Sequence, residues 1–330
     1  MTVQTYGDIT PRTAAHAVVQ MLRRGLPHLI IEKFGQVYVM PNKVTKVAKF
    51  RRYNALALNT TPLVEGVTPS GKKLTVTDVT ATLEQYGDFV PFSDVIEDTH
   101  EDPYLQQLTG VLGEQAAQSI ETMRYGVIKA GTNRYFSDGS ARVDCDQPIS
   151  LGLQRKATRA LKRQNASMHT SVVASTASFN TQPIEAAFIG LTHVDVENDI
   201  RNMSGFINPK NYGTSTPWEN EVGSVEDVRY LRSTIFVSFP DAATAGTLGS
   251  NISTTGTYAD VYPVLIIAKD AYGIVPLKGQ NSLGIIVKNP GSSGSADPLN
   301  QRGTAGWKTM QTCVILQDAW MVRLEVSATN

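Results

Sequence analysis

The spacing of apolar residues changes along this chain, and each change marks a different kind of element. Leu105, Leu108, Leu112, Ala116, Ile120, Met123 and Val127 step by three or four, which aligns them in one stripe of a helix. Asp102 suits the N-cap, Pro103 the first helical position and Gly131 the stop, so the spacing predicts a helix over 103–130. At 1.5 Å per residue it is a rod about 40 Å long, well above the common length in globular proteins. Upstream the period shortens to two: Leu74 and Val76 share one face, then Val79, Ala81 and Leu83 follow, and the change of phase at Asp78 predicts a bulge. Val44, Val47, Phe50 and Tyr53 recur every third residue, a period of neither helix nor strand. Flanking turns and β-branched neighbours assign that stretch to a strand. With Pro62, Gly66, Pro69 and Gly71 between the two arms, residues 33–100 read as a long hairpin joined near 60–73.

The remaining pattern is mixed. A short helix is expected over Ala14–Leu22, ended by Gly25 and Pro27, and a second one over Leu151–Asn165 behind Pro148 and Ser150. Residues 184–330 alternate strand-like and helical stretches. Ala186–Leu191 reads as a strand, followed by a helix starting near an N-capping Asp195. Tyr262–Ala268 and Cys313–Leu316 read as buried strands, and Trp320–Val326 as an alternating one. Residues 241–259 and 289–301, rich in Gly, Ser and Thr or Asn, read as surface loops. No internal repeat is evident.

Composition narrows the function classes. At 330 residues and 41% apolar, the chain can bury a large core or two. Thirty lysines and arginines balance thirty acids, which argues against a free nucleic-acid binder. No apolar run approaches a membrane span, and the N-terminus has no secretory pattern. Cys145 and Cys313 are far apart, without a Cys-x-x-Cys, which fits buried thiols and folding in a reducing cytoplasm. Charge is unevenly divided all the same. Lys33, Lys43, Lys46, Lys49, Arg51, Arg52, Lys72 and Lys73 stand against the single acid Glu65. From 74 to 102 the order reverses, with Asp78, Glu84, Asp88, Asp94, Glu97, Asp98, Glu101 and Asp102 and no lysine or arginine. Complementary segments of this kind can pair within one chain or between chains, and in a symmetric assembly they register neighbours. Arg155, Arg159, Lys162 and Arg163 share one face of the second helix, which reads as a solvated face or as a contact for DNA or an acidic partner.

Catalytic patterns are missing. Gly71-Lys72-Lys73 lacks the upstream glycine of a phosphate loop, and neither Gly-x-Gly-x-x-Gly nor Gly-x-Ser-x-Gly occurs. His16, His28, His100, His169 and His193 have no metal spacing. His193 with Asp195 reads as a packed histidine beside a cap rather than an acid/base pair. The acids at 97–102 read as the lead-in to the long helix rather than a calcium loop. No catalytic, cofactor or metal site is expected.

The order of parts (arm, basic hairpin, long helix, mixed α/β region with loose loops, closing strand) resembles the tailed-phage capsid fold. The wording resembles the N-four-type family of phage and prophage major capsid proteins. RTAAHAVVQMLRRGLPHLIIEKFGQ (12–36), KFRRYNALALNTTPLVEGVTPSGKKLTVTDVTATLEQYGDF (49–89), LGEQAAQSIETMRYGVIKAG (112–131), NEVGSVEDVRYLRSTIF (220–236), ADVYPVLIIAKDAYGIVPLKG (259–279) and GWKTMQTCVILQDAWMVRLEV (306–326) carry it. The resemblance implies an α+β subunit with an N-terminal arm (1–32), an extended loop (33–100), a peripheral domain with its spine helix (101–180, rejoined by 295–330) and an axial domain (181–294). It also implies copies joined as pentamers and hexamers of an icosahedral virion shell assembled in the host cytoplasm. Scaffolding, portal and decoration proteins and packaged double-stranded DNA are the implied partners, and no cofactor or membrane. An encapsulin-like nanocompartment shell shares the fold, and an α/β enzyme with a hairpin lid or a nucleic-acid-binding protein are the readings of other classes. On the shell reading Lys43, Lys46, Lys49, Arg51, Arg52, Lys72 and Lys73 are candidates to meet Asp94, Glu97, Asp98 and Glu101 of a neighbouring copy.

Overall fold

A computed structural model describes residues 29–95, 104–172, 174, 182–213, 216–278, 284–290, 298–299 and 301–330. The helix expected over Ala14–Leu22, the Asp102–Pro103 start of the long helix and most of the 289–301 loop lie outside them. The first half of the chain gives β1 (Gln36–Val37), β2 (Val47–Tyr53), β3 (Val76–Thr82), β4 (Glu84–Ser93), α1 (Tyr104–Lys129), β5 (Arg134–Phe136) and α2 (Leu151–Arg163). The second half continues with β6 (Phe188–His193), α3 (Glu197–Asn202), β7 (Phe206–Ile207), β8 (Glu221–Val225), β9 (Val228–Ser233) and β10 (Phe239–Ala243). Then come β11 (Ala259–Ile267), β12 (Tyr272–Pro276), β13 (Gly284–Lys288), β14 (Arg302–Ile315) and β15 (Met321–Val326).

An eight-stranded sheet of order β5-β15-β11-β6-β9-β8-β7, with β10 also on β11, forms the larger core. All nine residues of β11 are buried, because both faces of the strand are covered. Val264 and Ile266 pack in one core with Leu153, Ala157 and Leu161 of α2, while Leu265 and Ile267 pack in another with Tyr125 and Ile128 of α1. A strand shielded on both sides loses the alternation of a half-exposed one and reads as a continuous apolar run. The two helices therefore lie on opposite faces of this sheet. Ser150 caps α2 by accepting the Leu153 amide at 3.2 Å.

A second, five-stranded sheet is built around β14. This strand runs antiparallel to β4 from Arg302↔Ser93 to Gln311↔Glu84, and its other edge takes β13 and β12, with β1 parallel to β12. The first half of α1 lies on it: Leu105, Leu108, Leu112 and Ala116 pack with Phe92, Ala305 and Trp307. One helix thus spans two cores, which explains its length.

Two expectations need correction. The pairing of β2 with β3 runs from Val47↔Thr82 to Tyr53↔Val76 without a shift, so there is no bulge at Asp78. The phase change in the sequence has another cause: Ala81 and Leu83 are buried near the body, whereas Val76 is exposed at the outer end and marks no buried face. Asp195 is not a cap either. His193 holds that position, its Nδ1 accepting the Asp195 amide at 3.2 Å.

The larger core also encloses charge. Glu221 and Arg229, both almost fully buried, form a bidentate pair at 2.7 and 2.8 Å. The carboxylate also accepts the Tyr212 hydroxyl and the Trp218 amide, and the guanidinium stacks over the Trp218 ring at 3.9 Å. Removing one partner leaves the other charge buried and unanswered, which costs about 3–5 kcal/mol. Arg229→Ala is expected to lower stability by that amount in urea denaturation, and the milder loss of about 1 kcal/mol typical of a surface pair would contradict it.

Candidate assembly surfaces

The candidate surface begins at the hairpin β2–β3. Its base is anchored: Ala48, Ala81 and Leu83 pack with Met40 and Val275, and the Phe50 ring lies over Gly273, where a Cβ would come within 2.9 Å of it. Its outer half has no such cover. Leu58, Leu63 and Val64 in the connecting loop are 92%, 73% and 67% exposed. Two strands with neither face buried are marginal in water, so this arm ends in apolar side chains that its own chain leaves open.

The candidate charges distribute along the same arm. Lys43, Lys46, Lys49, Arg51, Arg52, Lys72 and Lys73 are all exposed. Arg51 is already engaged across the ladder, donating from Nε and a terminal nitrogen to both Asp78 oxygens at 2.8 and 2.9 Å. That fork holds the Asp78 carboxyl below the usual carboxylate range. Lys72 donates to the Ala57 and Leu58 carbonyls and so ties the loop together. Asp94 is half-buried at the end of β4, where its amide reaches the Gln301 carbonyl. Glu97, Asp98 and Glu101 lie outside the described residues. Within one chain, then, the structure joins only Arg51 to the acidic segment among the described candidates.

The His193–Asp195 pair closes a turn. Asp195 Oδ2 lies 3.0 Å from His193 Nδ1 and accepts the Tyr262 hydroxyl at 2.7 Å. Among the described residues no group of three or more His, Cys, Asp and Glu could hold a metal ion.

No protein-family model and no curated protein matches the sequence. Solved structures do match the fold. The capsid of cyanophage P-SCSP1u aligns with a TM-score of 0.60 over 100% of this chain and 91% of its own, at 15% identity. That of Ralstonia phage GP4 gives 0.60 over 90% and 87%, at 12% identity, and that of cyanophage Pam1 gives 0.56 over 90% and 89%, at 13%. This chain has the phage capsid fold. At such identities what is shared is architecture, not individual residues.

Within this capsid fold the structure reveals a joint that the sequence pattern did not single out. Glu121, fully buried on α1, accepts the Ile30 and Ile31 amides on Oε1 at 3.0 and 2.8 Å. Arg124, one turn on, donates to Glu32 at 2.9 Å and to Gln311 of β14 at 2.6 Å, and the Tyr272 hydroxyl of β12 donates to the Ile31 carbonyl at 2.5 Å. Residues 30–32 are thereby pinned to the helix and to the five-stranded sheet. Burial pushes Glu121 up to about 7, against the opposing pull of the two amides and Arg124.

The sign of the pH effect follows. Folded Glu121 holds its proton up to about pH 7, whereas in the unfolded chain it ionises near 4.5. Stability falls as pH rises through that window, by about 3 kcal/mol in all, and the loss is complete above it. Glu121→Gln, which keeps an acceptor but carries no proton equilibrium, is expected to flatten this part of the profile. Urea denaturation of both proteins at about pH 5 and pH 8 checks it; parallel profiles would remove Glu121 as the source.

Proposed function

We propose that this chain is the major structural subunit of a tailed-phage or prophage head, without enzymatic activity, and that it assembles into pentamers and hexamers of an icosahedral shell around double-stranded DNA. The observation that carries the proposal is the likeness to solved phage capsids over nearly the whole length of both chains. The hairpin supports it independently. Its loop exposes Leu58, Leu63 and Val64, and Lys43, Lys46, Lys49 and Lys73 meet no carboxylate among the described residues, so a neighbouring copy can cover both. On this reading the subunit is assembled in the host cytoplasm, with scaffolding, portal and decoration proteins as partners.

In the assembly, Lys43, Lys46, Lys49, Arg52 and Lys73 face acids of an adjacent subunit, among them Asp94, Glu97, Asp98 and Glu101. Each exposed pair contributes only about 0–1 kcal/mol, so the effect comes from repetition around the shell and from register. Arg51 is the exception, since its charge is matched by Asp78 of its own hairpin.

Negative-stain microscopy of the full-length purified protein tests the main proposal. Closed shells tens of nanometres across are expected. A persistent monomer with a catalytic activity would overturn it, and shells that enclose cargo proteins in place of a genome would identify a nanocompartment. Lys49→Glu combined with Arg52→Glu is expected to block shell formation while leaving the thermal melt of the subunit unchanged; normal shells from this variant would reject the charge-register role.

A further inference from the structure

The outward face of α2 carries charge that the packing of the fold does not use. Leu153, Ala157 and Leu161 commit one side of the helix to the core. Arg155, Lys156, Arg159, Lys162 and Arg163 are exposed on the other. The turn between β8 and β9 answers two of these cations. Arg155 donates to both Glu226 oxygens, at 3.0 Å from Nε to Oε2, and Lys162 reaches Asp227 at 2.5 Å. Arg159 and Arg163 have no carboxylate partner among the described residues. They sit beside the two paired cations in a shallow depression floored by Thr158.

The spacing and chemistry of these two arginines suit phosphate. One helical turn apart, they are separated by about 6 Å along the axis, so each long side chain can reach a different phosphate of a duplex that carries one charge about every 1.7 Å along its axis. A guanidinium presents a planar fork that matches phosphate oxygens in pairs.

We infer that the exposed face of α2 lines the lumen of the shell and binds the backbone of packaged double-stranded DNA through Arg159 and Arg163. The inference rests on the shell-subunit reading above and adds which face of the subunit points inward. Binding is to phosphate and independent of sequence. Glu226 and Asp227 hold Arg155 and Lys162 in place and offset their charge, so one subunit attracts DNA weakly. Many copies around a closed shell act together on one polymer, where linked weak contacts gain from effective concentration.

The test compares filled particles of the wild-type protein with those of R159E/R163E, scoring shells by negative stain and enclosed DNA by the ultraviolet absorbance ratio. Shells of normal size holding several-fold less DNA, or releasing it at lower salt, are the expected result. Normal DNA content and salt tolerance would overturn the inference. If R159E/R163E gives no shells, the uncharged R159Q/R163Q replaces it: normal shells with reduced DNA support the inference. Failure of shells in that variant too means that α2 meets a protein partner, and the inference falls. Wild-type protein that forms no shells would instead overturn the shell-subunit reading on which it depends.

Discussion

Backbone pairing between β4 and β14 joins segments more than two hundred residues apart, and the placement of the hairpin depends on it. The ladder runs unbroken from Arg302↔Ser93 to Gln311↔Glu84. Its closeness needs glycine on both strands. A Cβ at Gly87 would fall 2.6 Å from the Trp307 carbonyl oxygen, and one at Gly306 would fall 2.7 Å from that of Asp88. Only Leu83 separates the end of β3 from the start of β4, and it is fully buried, its amide bonded to the Lys46 carbonyl. The hairpin thus leaves the body at a fixed residue, between a ladder on one side and a packed leucine on the other. An arm with a rigid root can present its outer end at a defined place, which a flexible tether could not do.

The same sheet explains how the long helix acquires its role. The first half of α1 packs on β4 and β14, and its last turns pack on the eight-stranded sheet. A displacement of one sheet relative to the other has to bend or shift this helix. The joint of Glu121, Arg124, Glu32 and Gln311 lies between those two contacts. It fastens residues 30–32 where the helix meets β14. Buried charge is a poor source of stability but a demanding one in geometry, because each oxygen and N–H must find its partner.

What the sequence disclosed follows from which interactions are local. The periodic stripe gave the C-terminal end of α1 within a residue, and Ser150 gave the start of α2. The β11 core was legible in Val264-Leu265-Ile266-Ile267-Ala268 because double-sided burial writes an unbroken run. The full length of β14 was not: of its fourteen residues only the end at Cys313 stood out, since Thr304, Lys308, Thr309 and Gln311 interrupt the apolar pattern. Their places are set by partners in distant strands. Glu121 and Arg124 were hidden for a related reason. They continue a second buried row, Ala117–Glu121–Arg124–Ile128, beside the apolar stripe, and charged residues at helical spacing read as solvent-facing unless a distant partner is known. Among the candidate contact residues, the sequence could not separate Arg51, whose partner Asp78 lies across the ladder, from the other cations of the hairpin.

Net neutrality takes on a different meaning in this light. Thirty positive and thirty negative residues cancel over the chain, yet they are not mixed evenly over the fold. Among the described residues, cations extend along the hairpin and collect on the outward face of α2. A neutral subunit feels little long-range repulsion from its copies, so dense packing in a closed lattice is not opposed by net charge. Local excess of one sign still orients each approach and distinguishes one face from another. Uneven charge on a neutral whole is therefore consistent with a protein whose partners are chiefly itself. In the proposed shell it also limits what any single contact has to contribute, since specificity would arise from a pattern repeated across identical neighbours.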